Sequence, residues 1–218
     1  FSLHDALPIW YFMRRFVVGL SLVVPALVFV AGPGFAQAPE VVWSHTYNAN
    51  SAAVSLHELP DSGLVLGGYV VPPGDGFRDM FIIRTDSEGD TLWISEIGLD
   101  GRYEAASCLR PTADGGFILA GTVTEDAPYT AYSDIYLVKT DGSGQPEWYS
   151  SFGSTGESES GISVVQAMDG GYLVAGGYWD GTTGYDIWLI KTDYLGLSQW
   201  SYPLTWADAD YEIGRAHV

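Results

Sequence analysis

Short runs in which apolar residues crowd both faces, broken by polar turns, recur along this chain at even intervals. The clearest is Asp134–Thr140, Asp-Ile-Tyr-Leu-Val-Lys-Thr, apolar on both sides as in a strand covered by neighbours on each face. It returns as Asp79–Thr85 and Asp186–Thr192. After each run an Asp, a Gly and a Trp keep one spacing, Asp-x-x-Gly-x-x-x-Trp: Asp86/Gly89/Trp93, Asp141/Gly144/Trp148 and Asp193/Gly196/Trp200. The Asp carboxylate can accept backbone N–H groups two residues on, the Gly supplies a positive φ, and the Trp opens a returning strand. An indole buries on the order of 200 Å², so the Trp is expected to anchor the hairpin and the Asp to set its geometry.

Upstream of each run lie a small-residue strand (Ala53–Leu56, Ala106–Leu109, Ile162–Val165), a turn, and a second apolar strand. The turns are Asp61-Ser-Gly63, Asp114-Gly-Gly116 and Asp169-Gly-Gly171, and the second strands carry Gly68, Gly121 and Gly176 at one place. A recurring strand glycine points to close backbone approach. Trp43, Trp93, Trp148 and Trp200 mark intervals of 50, 55 and 52 residues. Such spacing predicts an all-β fold, a β-propeller arc of about three four-stranded antiparallel blades forming an incomplete ring. The units span about 53–98, 105–153 and 161–204, with 41–47 as a ring-closing strand. An arc leaves Leu64, Val65, Ile187 and Leu189 as candidates to face water at its ends.

The pattern Asp-Gly-Gly-(aromatic)-apolar-apolar-Ala-Gly, followed by Lys-Thr-Asp-x-x-Gly-x-x-x-Trp, resembles the repeats of secreted bacterial β-propeller proteins across 41–211. That resemblance implies architecture more than activity, since propellers host many functions. The Asp-Gly-Trp hairpin is also similar to the docking motif of quinoprotein dehydrogenase propellers and to the sialidase Asp-box. Its Asp–Gly spacing departs from both, one residue shorter than the first and one longer than the second.

The two ends read differently. Ser2–Ile9 and Glu212–Val218 resemble translations of the two opposite sequencing-adapter oligonucleotides, so 1–12 and 212–218 are expected to be artefacts and the chain a fragment. Met13-Arg-Arg-Phe16, the fifteen-residue apolar run Val17–Ala31 and Ala36-Gln37-Ala38 predict a signal peptide over 13–38, whose helix is too short to span a bilayer. The mature repeats would occupy 39–211, exported from a bacterial cell to the periplasm, surface or medium. That span holds 25 acidic and 6 basic residues, a balance of −19 that disfavours nucleic acid and anionic lipid. No membrane attachment is expected once the signal is removed. Cys108, the only thiol, reads as a small buried hydrophobe.

Chemistry-bearing motifs are few. There is no Gly-x-Ser-x-Gly elbow, His-Glu-x-x-His, Walker loop or Cys cluster, and His45 and His57 occur in the first unit alone. The turn acids Asp86, Asp141 and Asp193 read as hairpin chemistry, so no metal, cofactor or catalytic residue is expected. Glu157 and Glu159 are expected to face water. The sequence varies in the loops between second and third strands and between units, which a propeller places on one face. The candidate binding residues there are Phe77, Tyr103, Tyr129, Tyr132, Glu157, Trp179, Asp180 and Tyr185, aromatics beside carboxylates suited to a protein or carbohydrate partner. The expected function is an exported, non-catalytic binding scaffold; the alternative is one arc of an enzyme propeller, a glycoside hydrolase or quinoprotein.

Overall fold

A computed structural model describes residues 44–47, 50–74, 76–99, 101–124, 132–154, 156–179 and 185–204, with Tyr185 described by its backbone alone. The predicted signal segment 13–38, both terminal stretches and Trp43 lie outside these residues. Strands β1 (Ser51–Glu58), β2 (Leu64–Val70), β3 (Asp79–Thr85) and β4 (Thr91–Ile97) form one sheet, paired in chain order. Strands β5 (Tyr103–Pro111), β6 (Phe117–Thr124), β7 (Asp134–Thr140) and β8 (Pro146–Phe152) form the second. Strands β9 (Ser158–Gln166), β10 (Tyr172–Trp179), β11 (Tyr185–Thr192) and β12 (Ser198–Leu204) form the third. Every pairing is antiparallel, and no helix occurs among the described residues. Each first strand packs on the preceding sheet, β5 on β2 and β9 on β6, so the sheets succeed one another as a propeller-like arc.

The first strands run eight or nine residues, longer than the short cores visible in the sequence. Each carries a bulge at the same place: the register skips Val54 in β1, Ser107 in β5 and Ile162 in β9. The bulge folds the strand onto its neighbour and explains the recurring glycine. A Cβ on Gly121 would lie 2.8 Å from Ala106 Cα and closer still to the Ala105 carbonyl. At Gly68 and Gly121 the close approach thus comes from the strand's own partner, and at Gly176 Ile135 of the second sheet adds to it.

The apolar core lies between sheets. Val65, Met80 and Ile82 of the first sheet meet Leu109, Phe117 and Leu119 of the second. Ile118, Ile135 and Leu137 of the second meet Val164, Val174 and Ile190 of the third, and Cys108 is buried with them. At full burial each such side chain contributes about 1.5–3 kcal/mol, so these two seams dominate stability.

The β3–β4, β7–β8 and β11–β12 hairpins share one turn. Asp86 Oδ1 accepts N–H bonds from Glu88 (2.8 Å) and Asp90 (3.0 Å). Asp141 does so from Ser143 and Gln145, and Asp193 from Leu195 and Leu197. Gly89, Gly144 and Gly196 take φ of 90°, 81° and 79°. Two of these glycines are gripped by the sheet before them. Trp93 Cζ3 would stand 2.6 Å from a Cβ on Gly144, and Trp148 Cζ3 2.5 Å from one on Gly196. Two residues after each Trp, Ser95 Oγ donates to Gly144 O (2.7 Å) and Ser150 Oγ to Gly196 O (3.0 Å). The indoles also meet Phe117 and Tyr172 edge-on, at 6.1 and 5.7 Å between centroids.

Arg84, Lys139 and Lys191 are buried, each paired with the acid of the first hairpin turn of its own sheet. Lys139 Nζ reaches Asp114 (2.9 Å) and Glu147 (3.0 Å), Lys191 reaches Asp169 (2.8 Å), and Arg84 reaches Asp61. Both lysines also donate to the carbonyl of the next residue, Thr140 or Thr192, at 2.8 Å.

Three expectations are corrected. Leu64 and Val65 do not face water: Val65 is fully buried against the second sheet, and Leu64 packs with Leu66, Phe81 and Ile83 beneath Tyr47 and Leu56. Residues 44–47 form no strand; Tyr47 instead donates its hydroxyl to Gly89 O at 2.6 Å. Trp200 is not a buried anchor, because no hairpin follows β12 among the described residues, and it is 48% exposed. Ile187 is exposed, as expected.

Candidate functional site

The variable loops gather where one sheet passes to the next. At the first junction the loop after β2 ends at Arg78, whose carbonyl accepts the Glu104 N–H at 2.7 Å. That bond ties the β2–β3 loop to the start of β5. The Arg78 guanidinium carbon lies 4.1 Å from the Tyr69 ring centroid and 4.9 Å from that of Tyr103. A cation held between two aromatic faces gains roughly 0.5–1 kcal/mol per ring when exposed and fixes both rings. Tyr103 and Phe77 are half-buried beside it. Just inside, Glu104 is buried on β5, and its charge, after burial itself, helps raise the Tyr136 phenol above its ordinary range. Tyr136 stacks on Tyr149 at 6.0 Å.

At the second junction the same joint is built with different chemistry. Glu159 N–H donates to Ser133 O (2.6 Å), and Ser133 Oγ donates to Glu159 O (3.0 Å). The Glu159 carboxyl is 1% exposed and accepts the Ser154 N–H at 3.1 Å. Burial pushes its pKa up to about 7; Asp134 and Glu157 add like charge, while the Ser154 N–H opposes the rise. Glu159 therefore does not face water as the sequence suggested. It sits on the inward face of β9, and the rim beyond it carries half-buried Glu157 and Tyr178, with the Tyr178 hydroxyl 3.5 Å from Glu157 Oε1. Trp179, at the end of β10, is 40% exposed.

The candidate residues thus fall into two groups. Phe77 and Tyr103 flank Arg78 at the first junction; Tyr132, Glu157 and Trp179 surround the second, with Tyr132 exposed and adjoining Ser133. Tyr185 opens β11 opposite Trp179. Tyr129 and Asp180 lie outside the described residues. Sequence reasoning missed Arg78, Tyr178 and the burial of Glu104 and Glu159. A signal was present, since both glutamates stand two residues before the small residue preceding the bulge, Ala106 or Gly161. A second recurrence also went unread: Gly98 and Gly153 leave room for the Asp79 and Asp134 carboxylates, which a Cβ there would strike.

Among the described residues no group of three or more His, Cys, Asp or Glu could hold a metal ion. Three of the turn acids, Asp86, Asp141 and Asp193, each give one carboxylate oxygen to two backbone N–H bonds. No family model matches this chain, and no curated protein is similar to it.

Proposed function

We propose that this chain is part of an exported, non-catalytic β-propeller scaffold that binds a protein or a glycan through its variable-loop face. The observation that carries the reading is the contrast at the two junctions. One backbone joint recurs at both, yet it is dressed with Arg78, Tyr69 and Tyr103 at one and with Glu157, Tyr178 and Trp179 at the other. A constant frame with changing aromatic and charged side chains is the arrangement of a recognition surface. An exposed indole at the end of β10, and a half-buried carboxylate on the same rim, offer a stacking face and an acceptor to a sugar ring or to a peptide. Export is supported by the basic, apolar and small-residue succession over 13–38.

The enzyme alternative has one observation in its favour. A carboxyl with a pKa of about 7 suits a general acid. Glu159 is sealed from solvent, however, and meets the backbone of the loop before β9, which supports a structural role instead. The test is a titration of the full chain with soluble neutral oligosaccharides and with a peptide library, read by intrinsic tryptophan fluorescence. Binding by one class, weakened at least about tenfold by Trp179→Ala, is expected, since truncating an anchoring aromatic loses about 1.4 kcal/mol or more. Binding that Trp179→Ala leaves unchanged, or turnover of an oligosaccharide, overturns the reading.

A further inference from the structure

The grip between a sheet and the hairpin after it follows a rule that can be read at three places. Trp93 and Ser95 hold Gly144, Trp148 and Ser150 hold Gly196, and Tyr47 holds Gly89 through its hydroxyl. In each, an aromatic side chain lies at the glycine or a hydroxyl donates to its carbonyl, and in two both occur. The fourth place is β12. Trp200 stands at the position of Trp93 and Trp148, and Tyr202, two residues on, stands at that of Ser95 and Ser150. Tyr202 brings a hydroxyl, and Tyr47 shows that a phenol can serve the glycine carbonyl. Unlike their counterparts, Trp200 and Tyr202 are exposed, at 48% and 59%.

We propose that the outer face of β12 is a docking site for a fourth hairpin of the Asp-x-x-Gly class, carried by a further four-stranded unit, with its glycine seated on Trp200. Continuity with the two existing seams argues for this occupant, because the surface repeats the one that already receives Gly144 and Gly196. The hairpins of this chain are taken: Gly89, Gly144 and Gly196 are all buried in their own grips. A second copy could offer only those same three, so it is the poorer fit. A side chain on the incoming glycine would collide with the indole, as it would at Gly144 and Gly196. The inference concerns the stacking direction and is independent of what the loop face binds.

The experiment inserts a second copy of residues 153–204 after Leu204 of the full chain, that copy carrying Trp200→Phe so that the Trp200 signal is unambiguous. Hydroxyl-radical footprinting then compares Trp200 with Trp148 in one molecule. The expected result is that Trp200, modified several-fold faster than Trp148 in the parent chain, falls to the Trp148 level in the extended one. Gly196→Val in the added copy restores its reactivity. A companion variant, Gly196→Val in the parent, is expected to expose Trp148. If Trp148 stays protected there, the grip does not depend on the glycine and the proposal fails. It fails also if Trp200 remains reactive beside the added unit, folded or not. A third contrary outcome is a parent chain that dimerises with Trp200 already protected, which makes a second copy the occupant. None of these readouts involves a loop-face ligand, so the two proposals fall separately.

Discussion

The two edges of this molecule obey opposite rules. Along the hairpin edge, Asp86, Asp141 and Asp193 make the same two hydrogen bonds, and the buried cations Arg84, Lys139 and Lys191 make the same ion pair with an exposed turn acid. Along the loop edge the backbone joint recurs, Arg78 to Glu104 and Ser133 to Glu159, each with a buried glutamate, while the side chains towards solvent around it do not. The first edge is constrained by having to fit the next sheet. The second meets solvent, so any side chain compatible with the joint is admissible there. Repetition therefore marks what the fold requires, and its absence marks where specificity can reside.

The sharpest way to break this comparison is at the indoles. Trp148→Ala, at a filled grip, should destabilise by about 3–5 kcal/mol, whereas Trp200→Ala, at the open face, should stay within about 1 kcal/mol. Chemical denaturation of the two variants decides it, and equal effects would mean that the grips add little. Gly121→Val, which drives a side chain into the bulge of β5, should lower stability by about 1–3 kcal/mol, and an unchanged midpoint removes the close-approach argument. Lys139→Met strands the Thr140 carbonyl without its donor and leaves Asp114 and Glu147 unpaired at the surface; a loss of about 1–3 kcal/mol is expected in the same assay.

A smaller effect sharpens the loop edge. The Glu159 carboxyl ionises near 4.5 when unfolded and near 7 when folded. Between those values the folded protein keeps a proton that the unfolded chain has released. Stability should therefore fall as pH rises through that window and level off above it. Asp114 works the other way at lower pH. Burial alone would raise it, but hydrogen bonds from Thr112 and Lys139 outweigh burial and hold it at about 2. Its contribution is present above about 3.8 and is lost as pH falls towards 2. Glu159→Gln should flatten the upper slope and leave the acid limb intact, as read by thermal melts across pH.

Much of the frame was legible because its signals are local. A turn acid, a positive-φ glycine and a doubly apolar strand reveal themselves within ten or so residues, and a repeat states them more than once. The candidate surface was legible as a set of loops and no further. Arg78 is an ordinary exposed cation in the sequence; only the β2–β3 loop closing on β5 puts Tyr69 and Tyr103 on either side of it. Glu159 looked solvated because it follows Glu157 in a Ser/Gly-rich stretch, yet β9 starts at Ser158, so Glu159 belongs to a strand and faces inward while Glu157 stays in the loop before it. Leu64 was misjudged because what covers the outer face of an end sheet depends on segments outside the repeat, here Tyr47, and Val65 because its side chain lies on the other face, against the second sheet.

The buried cations carry a practical consequence for handling the protein. Residues 39–211 contain six lysines and arginines, and three of them, Arg84, Lys139 and Lys191, lie inside the third strand of a sheet with their charged ends engaged. Arg78 is clasped between two rings. A protease that cuts after basic residues must first peel a strand from the middle of its sheet to reach those three bonds. Trypsin digestion at Arg84, Lys139 and Lys191 would thus count opening events sheet by sheet, each cleavage product naming the one that came apart.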